Sequence, residues 1–145
     1  MKPGDQRGAI YQKHIDGKLA AVSFITVGEL LFGAQKRKWG KSKVADLNAK
    51  LRSLVIVPYD MAVCRTYGDL KAKLQKDGIG IADNDLWIAS CAVRHSIPLI
   101  SNNRKHFERI KDLVLISEAP LIREIESQGV IDLGDPTAPE PPSSQ

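Results

Sequence analysis

The stretch Ile81-Ala82-Asp83-Asn84-Asp85-Leu86-Trp87-Ile88-Ala89-Ser90-Cys91-Ala92 places two acids immediately before an apolar run. Asp83 or Asn84 is of the type that caps a helix, and a helix over 85–95 would be apolar nearly all round, through Leu86, Trp87, Ile88, Ala89, Cys91, Ala92 and Val93. A helix without a polar face is a buried one. One acid is enough for capping, and the macrodipole favours a carboxylate in the first turn by about 0.3–1 kcal/mol. Asp85, however, stands at the rim of a buried element. A carboxylate there needs a partner, and a hard divalent cation is one that fits.

Working outward from this helix, short apolar runs alternate with helical patterns. Upstream, residues 54–58 are short and β-branched, a buried strand, and Asp60 caps a helix whose apolar face holds Val63, Cys64, Tyr67, Leu70 and Leu74. A further helix is expected over 42–53, and a strand over 19–25. After that strand, Thr26-Val27-Gly28-Glu29 has the spacing of a capping box, with helix continuing to about residue 38, where Trp39-Gly40 stops it. Downstream, a strand entered through Pro98 ends at Ser101, the turn-rich residues 102–105 follow, then His106 to Ile110, and a last strand over 113–116. A weak helix is expected over 121–127.

Alternating strands and helices predict an α/β fold, a parallel sheet flanked by helices on both faces. In such sheets the site lies beyond the carboxyl ends of the strands. Thr26 with Glu29, residues 83–85, and Ser101 to Asn103 follow strands, so all three groups are expected on one edge. Each also has an ordinary role. Glu29 is fully employed as the last member of a capping box, and Ser101-Asn102-Asn103 is common turn chemistry. His14, His95 and His106 share no metal-ligand spacing and read as surface residues.

Composition sets the class. Of 145 residues, 43% are hydrophobic and 26% charged, as in an ordinary globular domain, and no stretch is long and apolar enough to span a bilayer. The opening residues are polar, without the apolar core of a signal peptide, and Cys64 and Cys91 lie in apolar helical patterns without a C-x-x-C partner. They read as reduced core thiols of a cytoplasmic protein. The net charge of +4 is uneven: the five acids after Arg123 are unopposed, which leaves +9 on residues 1–123. A basic body suits a polyanionic partner such as nucleic acid.

Taken together, three segments resemble the PIN-domain ribonucleases, closest to the VapC-type toxins. Residues 23–34, with Thr26-Val27-Gly28-Glu29-Leu30 and Gly33-Ala34, are similar to that family's second-acid segment; residues 81–92 resemble its third-acid segment, with Asp85 in the acid's place and Asp83 an extra acid. Residues 99–110 resemble its last motif, where Ser101 ends a strand and an aromatic, Phe107, follows. The resemblance implies a PIN-like sheet and a magnesium- or manganese-dependent ribonuclease. Glu29 and Asp85 would bind the metal, and Ser101 and Asn103 would contact substrate or support the site. It further implies an RNA substrate and a cognate VapB-type antitoxin, and it leaves room for a homodimer.

The resemblance also implies two departures. The family opens with a strand ending in an aspartate, and this sequence starts where the family's first helix is ending. The reading is therefore a PIN-like fold lacking the first strand: a remnant segment over 1–18, the PIN-like domain over 19–127 and a disordered proline-rich tail over 128–145. Asn103 and His106 stand where relatives often carry a further acid. The alternative reading is an N-terminally truncated, inactive PIN-like protein that binds antitoxin or RNA. A third is a coding sequence that begins further upstream.

Overall fold

The computed structural model describes residues 6–118, so the helix expected over 121–127 and the tail over 128–145 lie outside the described residues. In chain order the elements are α1 (Gln6–Ile15), β1 (Ala21–Ser23), α2 (Phe24–Lys36), α3 (Lys41–Arg52), β2 (Val55–Val57), α4 (Met61–Lys76), α5 (Asp83–Arg94), β3 (Leu99–Ile100), α6 (Arg104–Phe107) and β4 (Leu115–Ile116). The alternation of strand and helix, and the parallel sense of the strands, are as expected.

Among the described residues the sheet takes the form of two parallel pairs. β1 lies beside β2 with Ala21 opposite Val55 and Ser23 opposite Val57, and β3 lies beside β4 with Leu99 opposite Leu115. Helix α5 is what the two pairs share. Leu86 and Ala89 join Leu70, Leu74, Phe107 and Ile110 in a buried cluster against which Leu99 and Leu115 pack. Cys91 closes on Val57 and Val63, with Phe24 and Trp87 against them. A helix that is apolar almost all round can face two partners at once, which is how the expectation of a buried α5 is met. Burial pushes the Cys91 thiol up to about 11, so it is a packing residue and not a nucleophile.

Two helix starts differ from expectation. Strand β1 ends at Ser23, so Ser23 rather than Thr26 caps α2: its Oγ accepts from the Thr26 amide at 3.2 Å and lies 3.0 Å from the Thr26 hydroxyl. Glu29 is thereby moved into the second turn, beyond reach of the cap, and the capping-box role falls away. At α5 neither Asp83 nor Asn84 is the cap; Ala82 stands there, with no side-chain bond. Asp60 caps α4 as expected, accepting from the Val63 amide at 2.7 Å. Two residues past the end of that helix, Gly78 has a φ of +67°, the left-handed geometry of a C-terminal cap, with the Ile79 amide donating to the Leu74 carbonyl.

Helix α1 is anchored on the β3–β4 side. The Tyr11 hydroxyl accepts from the Glu118 amide at 2.9 Å and reaches the Ser101 carbonyl at 3.4 Å, while the Glu118 carboxylate meets His14 Nε2 at 2.7 Å and Lys13 Nζ at 2.9 Å. Those two bases, His14 foremost, hold the Glu118 carboxyl below its ordinary 4.5. A depressed carboxylate stabilises the folded form above the ordinary value and loses that contribution as pH falls through the lowered one. We therefore expect α1 to stay attached at neutral pH and to loosen in acid, and Glu118→Gln to loosen it at neutral pH and to remove the acid dependence. Amide exchange confined to residues 8–15 would report this; unchanged exchange in Glu118→Gln would show that Tyr11 alone suffices.

Candidate functional site

The side chains that follow β1 and β3 meet the first turn of α5. Glu29, carried on α2, accepts from the Asn84 amide at 2.9 Å. Next along α5, Asp85 Oδ2 lies 2.6 Å from His106 Nδ1, and the same nitrogen lies 2.7 Å from the Asn103 amide. The loop carrying Asn103 is pinned in turn, since the Ser101 hydroxyl accepts from the Asn103 backbone amide at 3.1 Å. Two sets of contacts thus start from adjacent residues of α5: Asn84 to Glu29, and Asp85 through His106 and Asn103 to Ser101. Residues 29, 85, 101 and 103 are brought to one region, whereas Thr26 is occupied by the cap of α2.

Each position follows from local structure. Phe107, 3% exposed, buries the short α6 and so fixes the neighbouring His106 over α5. Leu86 does the same for Asp85, being 1% exposed in the centre of the core. The Asp85 side chain retains 19% of its exposure and His106 retains 49%, so the pair sits at a rim open to solvent. Glu29 is exposed. Neither Glu29 nor Asp85 is ion-paired to a lysine or arginine among the described residues.

Asp83 behaves differently. Its Oδ1 accepts from Tyr67 at 2.7 Å and from Lys71 at 2.8 Å. The Lys71 ammonium, then the Tyr67 hydroxyl, hold the Asp83 carboxyl below its ordinary range. Tyr67 also stacks on Trp87, with ring centroids 4.0 Å apart. Asp83 is therefore a brace between α4 and α5, with its charge already matched.

Sequence reading missed two participants. Asn84 is neutral and had been weighed only as a cap. His106 has the sequence signature of a surface residue; the clue was its place three residues after Asn103 on the same strand-following segment.

The donor set bears on a metal as follows. Among the described residues no three His, Cys, Asp or Glu side chains are grouped closely enough to hold an ion by themselves. Magnesium does not require this, because it keeps several waters and is commonly held through one or two carboxylates together with substrate phosphate. Asp85 and Glu29 supply carboxylate oxygens without a competing lysine or arginine, so the residues fit a hard cation on those terms.

Comparison with known proteins identifies the family. A PIN domain match spans residues 4–113. Ribonuclease VapC2 of Haemophilus influenzae is 38% identical over 94 residues, covering 65% of this chain and 70% of that one. Among solved structures, VapBC2 from Rickettsia felis, bound to a DNA fragment from its promoter, superposes with a TM-score of 0.66 at 30% identity, covering 77% of this chain and 94% of that one. VapBC-1 from nontypeable Haemophilus influenzae gives 0.70 at 29%, covering 77% and 86%. A match over most of the chain, with these relatives sharing both sequence and fold, means that this chain belongs to the PIN-domain family, among the VapC-type ribonucleases.

Proposed function

We propose that the chain is a cytoplasmic endoribonuclease toxin of the VapC type, dependent on magnesium or manganese held by Asp85 and Glu29, and restrained by a VapB-type antitoxin. The observation that carries this is that adjacent residues at the start of α5 meet both Glu29 from α2 and the His106–Asn103–Ser101 segment that follows β3, in a chain of this family. When bound, the cation supplies a lowered water pKa and stabilises charge on the phosphate. The residues do the rest. Asn84 orients Glu29, α5 presents Asp85, and the Ser101–Asn103 turn holds the loop beside it. The +9 charge on residues 1–123 draws the RNA backbone in. Among the described residues no helix is long and apolar enough to cross a membrane. The division into a remnant segment over 1–18, a PIN-like domain over 19–127 and a tail over 128–145 remains part of this proposal.

The test is RNA cleavage by the purified chain with magnesium or manganese, repeated with chelator and with co-expressed antitoxin. Cleavage that requires metal and is suppressed by antitoxin is expected. RNA that is bound but left intact with either metal would replace the enzyme by a binding protein of the same fold.

A further inference from the structure

We propose that His106 is itself a ligand of the cation at Asp85, with the Asn103 amide beside it, and that the site therefore prefers manganese to magnesium. This rests on the metal-dependent reading above but gives Glu29's place among the ligands to His106, since Glu29, Asp85 and His106 do not form a three-member group that could hold one ion among the described residues. The geometry that points to it is a conflict at one atom. His106 Nδ1 lies 2.6 Å from Asp85 Oδ2 and 2.7 Å from the Asn103 amide nitrogen. A ring nitrogen carries either one hydrogen or one lone pair. With the hydrogen it serves Asp85 and meets the N–H groups of Asn103; with the lone pair it serves Asn103 and meets the carboxylate. Turning the amide over places its oxygen there, and two oxygens then share a single hydrogen, each held less firmly than by a bond of its own.

A cation among the three groups removes the conflict, since carboxylate oxygen, ring nitrogen and amide oxygen can all donate to it. The spacing suits one. Donors at right angles around a metal with bonds of about 2.0–2.1 Å stand about 2.9 Å apart, so the observed separations need open by only a few tenths of an ångström. His106 has room for this, being half exposed on a four-residue helix, while Phe107 anchors the turn from the other side. The choice of metal follows from ligand chemistry. Magnesium takes oxygen donors and releases water reluctantly, whereas imidazole is a ligand of first-row transition metals, and manganese accepts both kinds of donor.

The experiment is pulsed electron paramagnetic resonance of manganese bound to the full chain, with manganese and magnesium affinities measured by calorimetry at one fixed pH. We expect a nitrogen coupling in the natural protein that disappears in His106→Gln. The ratio of manganese to magnesium affinity should fall roughly tenfold in that variant. Circular dichroism of the variant checks that the fold is kept, and the coupling in the natural protein needs no variant at all. Manganese bound in an Asp85-dependent way, with no nitrogen coupling and an unchanged ratio in His106→Gln, would overturn the role of His106 and leave the two-carboxylate site standing. Manganese binding that is absent, or indifferent to Asp85→Asn, would overturn the metal-dependent reading together with it.

Discussion

Replacing Asp85 by Asn should lower metal-dependent RNA cleavage by at least roughly a hundredfold and leave thermal stability nearly unchanged. The first half follows because losing a partner outside a metal's own ligands already costs about 10–100-fold in affinity or activity, and a ligand should cost no less. The second follows from position. The Asp85 carboxylate sits at a rim, 19% exposed, and an asparagine there can still bond to His106, so the change in stability should stay within about 0.5 kcal/mol. Asp83→Asn is the matched control two residues away. That carboxylate is engaged by Lys71 and Tyr67, so its loss should leave cleavage and cation affinity within about twofold of normal. Equal loss from both substitutions would mean that neutralising the start of α5, rather than removing a ligand, is what matters.

Leu86→Ala, one residue further on, should show the opposite profile. Leu86 is 1% exposed at the centre of the cluster that joins α4, α5, α6 and the β3–β4 pair. Truncating a buried leucine costs about 2–5 kcal/mol through lost transfer energy and the cavity left behind. Against a typical total of about 5–15 kcal/mol, this removes a large part of the stability. Urea unfolding should show a lower midpoint with an unchanged slope, and activity per folded molecule should fall far less than in Asp85→Asn. A midpoint close to that of the natural protein would mean that the core around α5 collapses to refill the space.

Much of this was legible in advance because it depends on short-range pattern. The apolar run after Asp85 announces a buried helix, and an acid at its edge is conspicuous for the same reason. Alternating runs announce a parallel α/β fold. Where the reading failed, longer-range geometry decided. The strand before α2 ends at Ser23, so Ser23 takes the cap, and Glu29 becomes available for a partner 55 residues away. Asp83 was weighed as a cap, but Lys71 lies across from it on α4, a contact that no spacing rule along one helix reveals. His106 had the appearance of a surface residue because its defining neighbour, Asp85, is 21 positions distant. The single expected sheet is a pair of two-stranded ones among the described residues, with strands of only two or three residues whose edges propensity does not locate.

Helix α5 touches the cores of both strand pairs and also carries Asp85 in its first turn. In terms of native-state fluctuations, opening this helix requires giving up both clusters at once. Its central amides should therefore exchange with solvent only through the largest openings available to the described fold, while the exposed α2 surface around Phe32, which is 66% exposed, exchanges through smaller ones. The carboxylate proposed to hold the cation is thus mounted on the element expected to open most slowly among the described residues, and Glu29, approaching from α2, on a faster one. Cation binding that couples the two should slow exchange in α2 more than in α5.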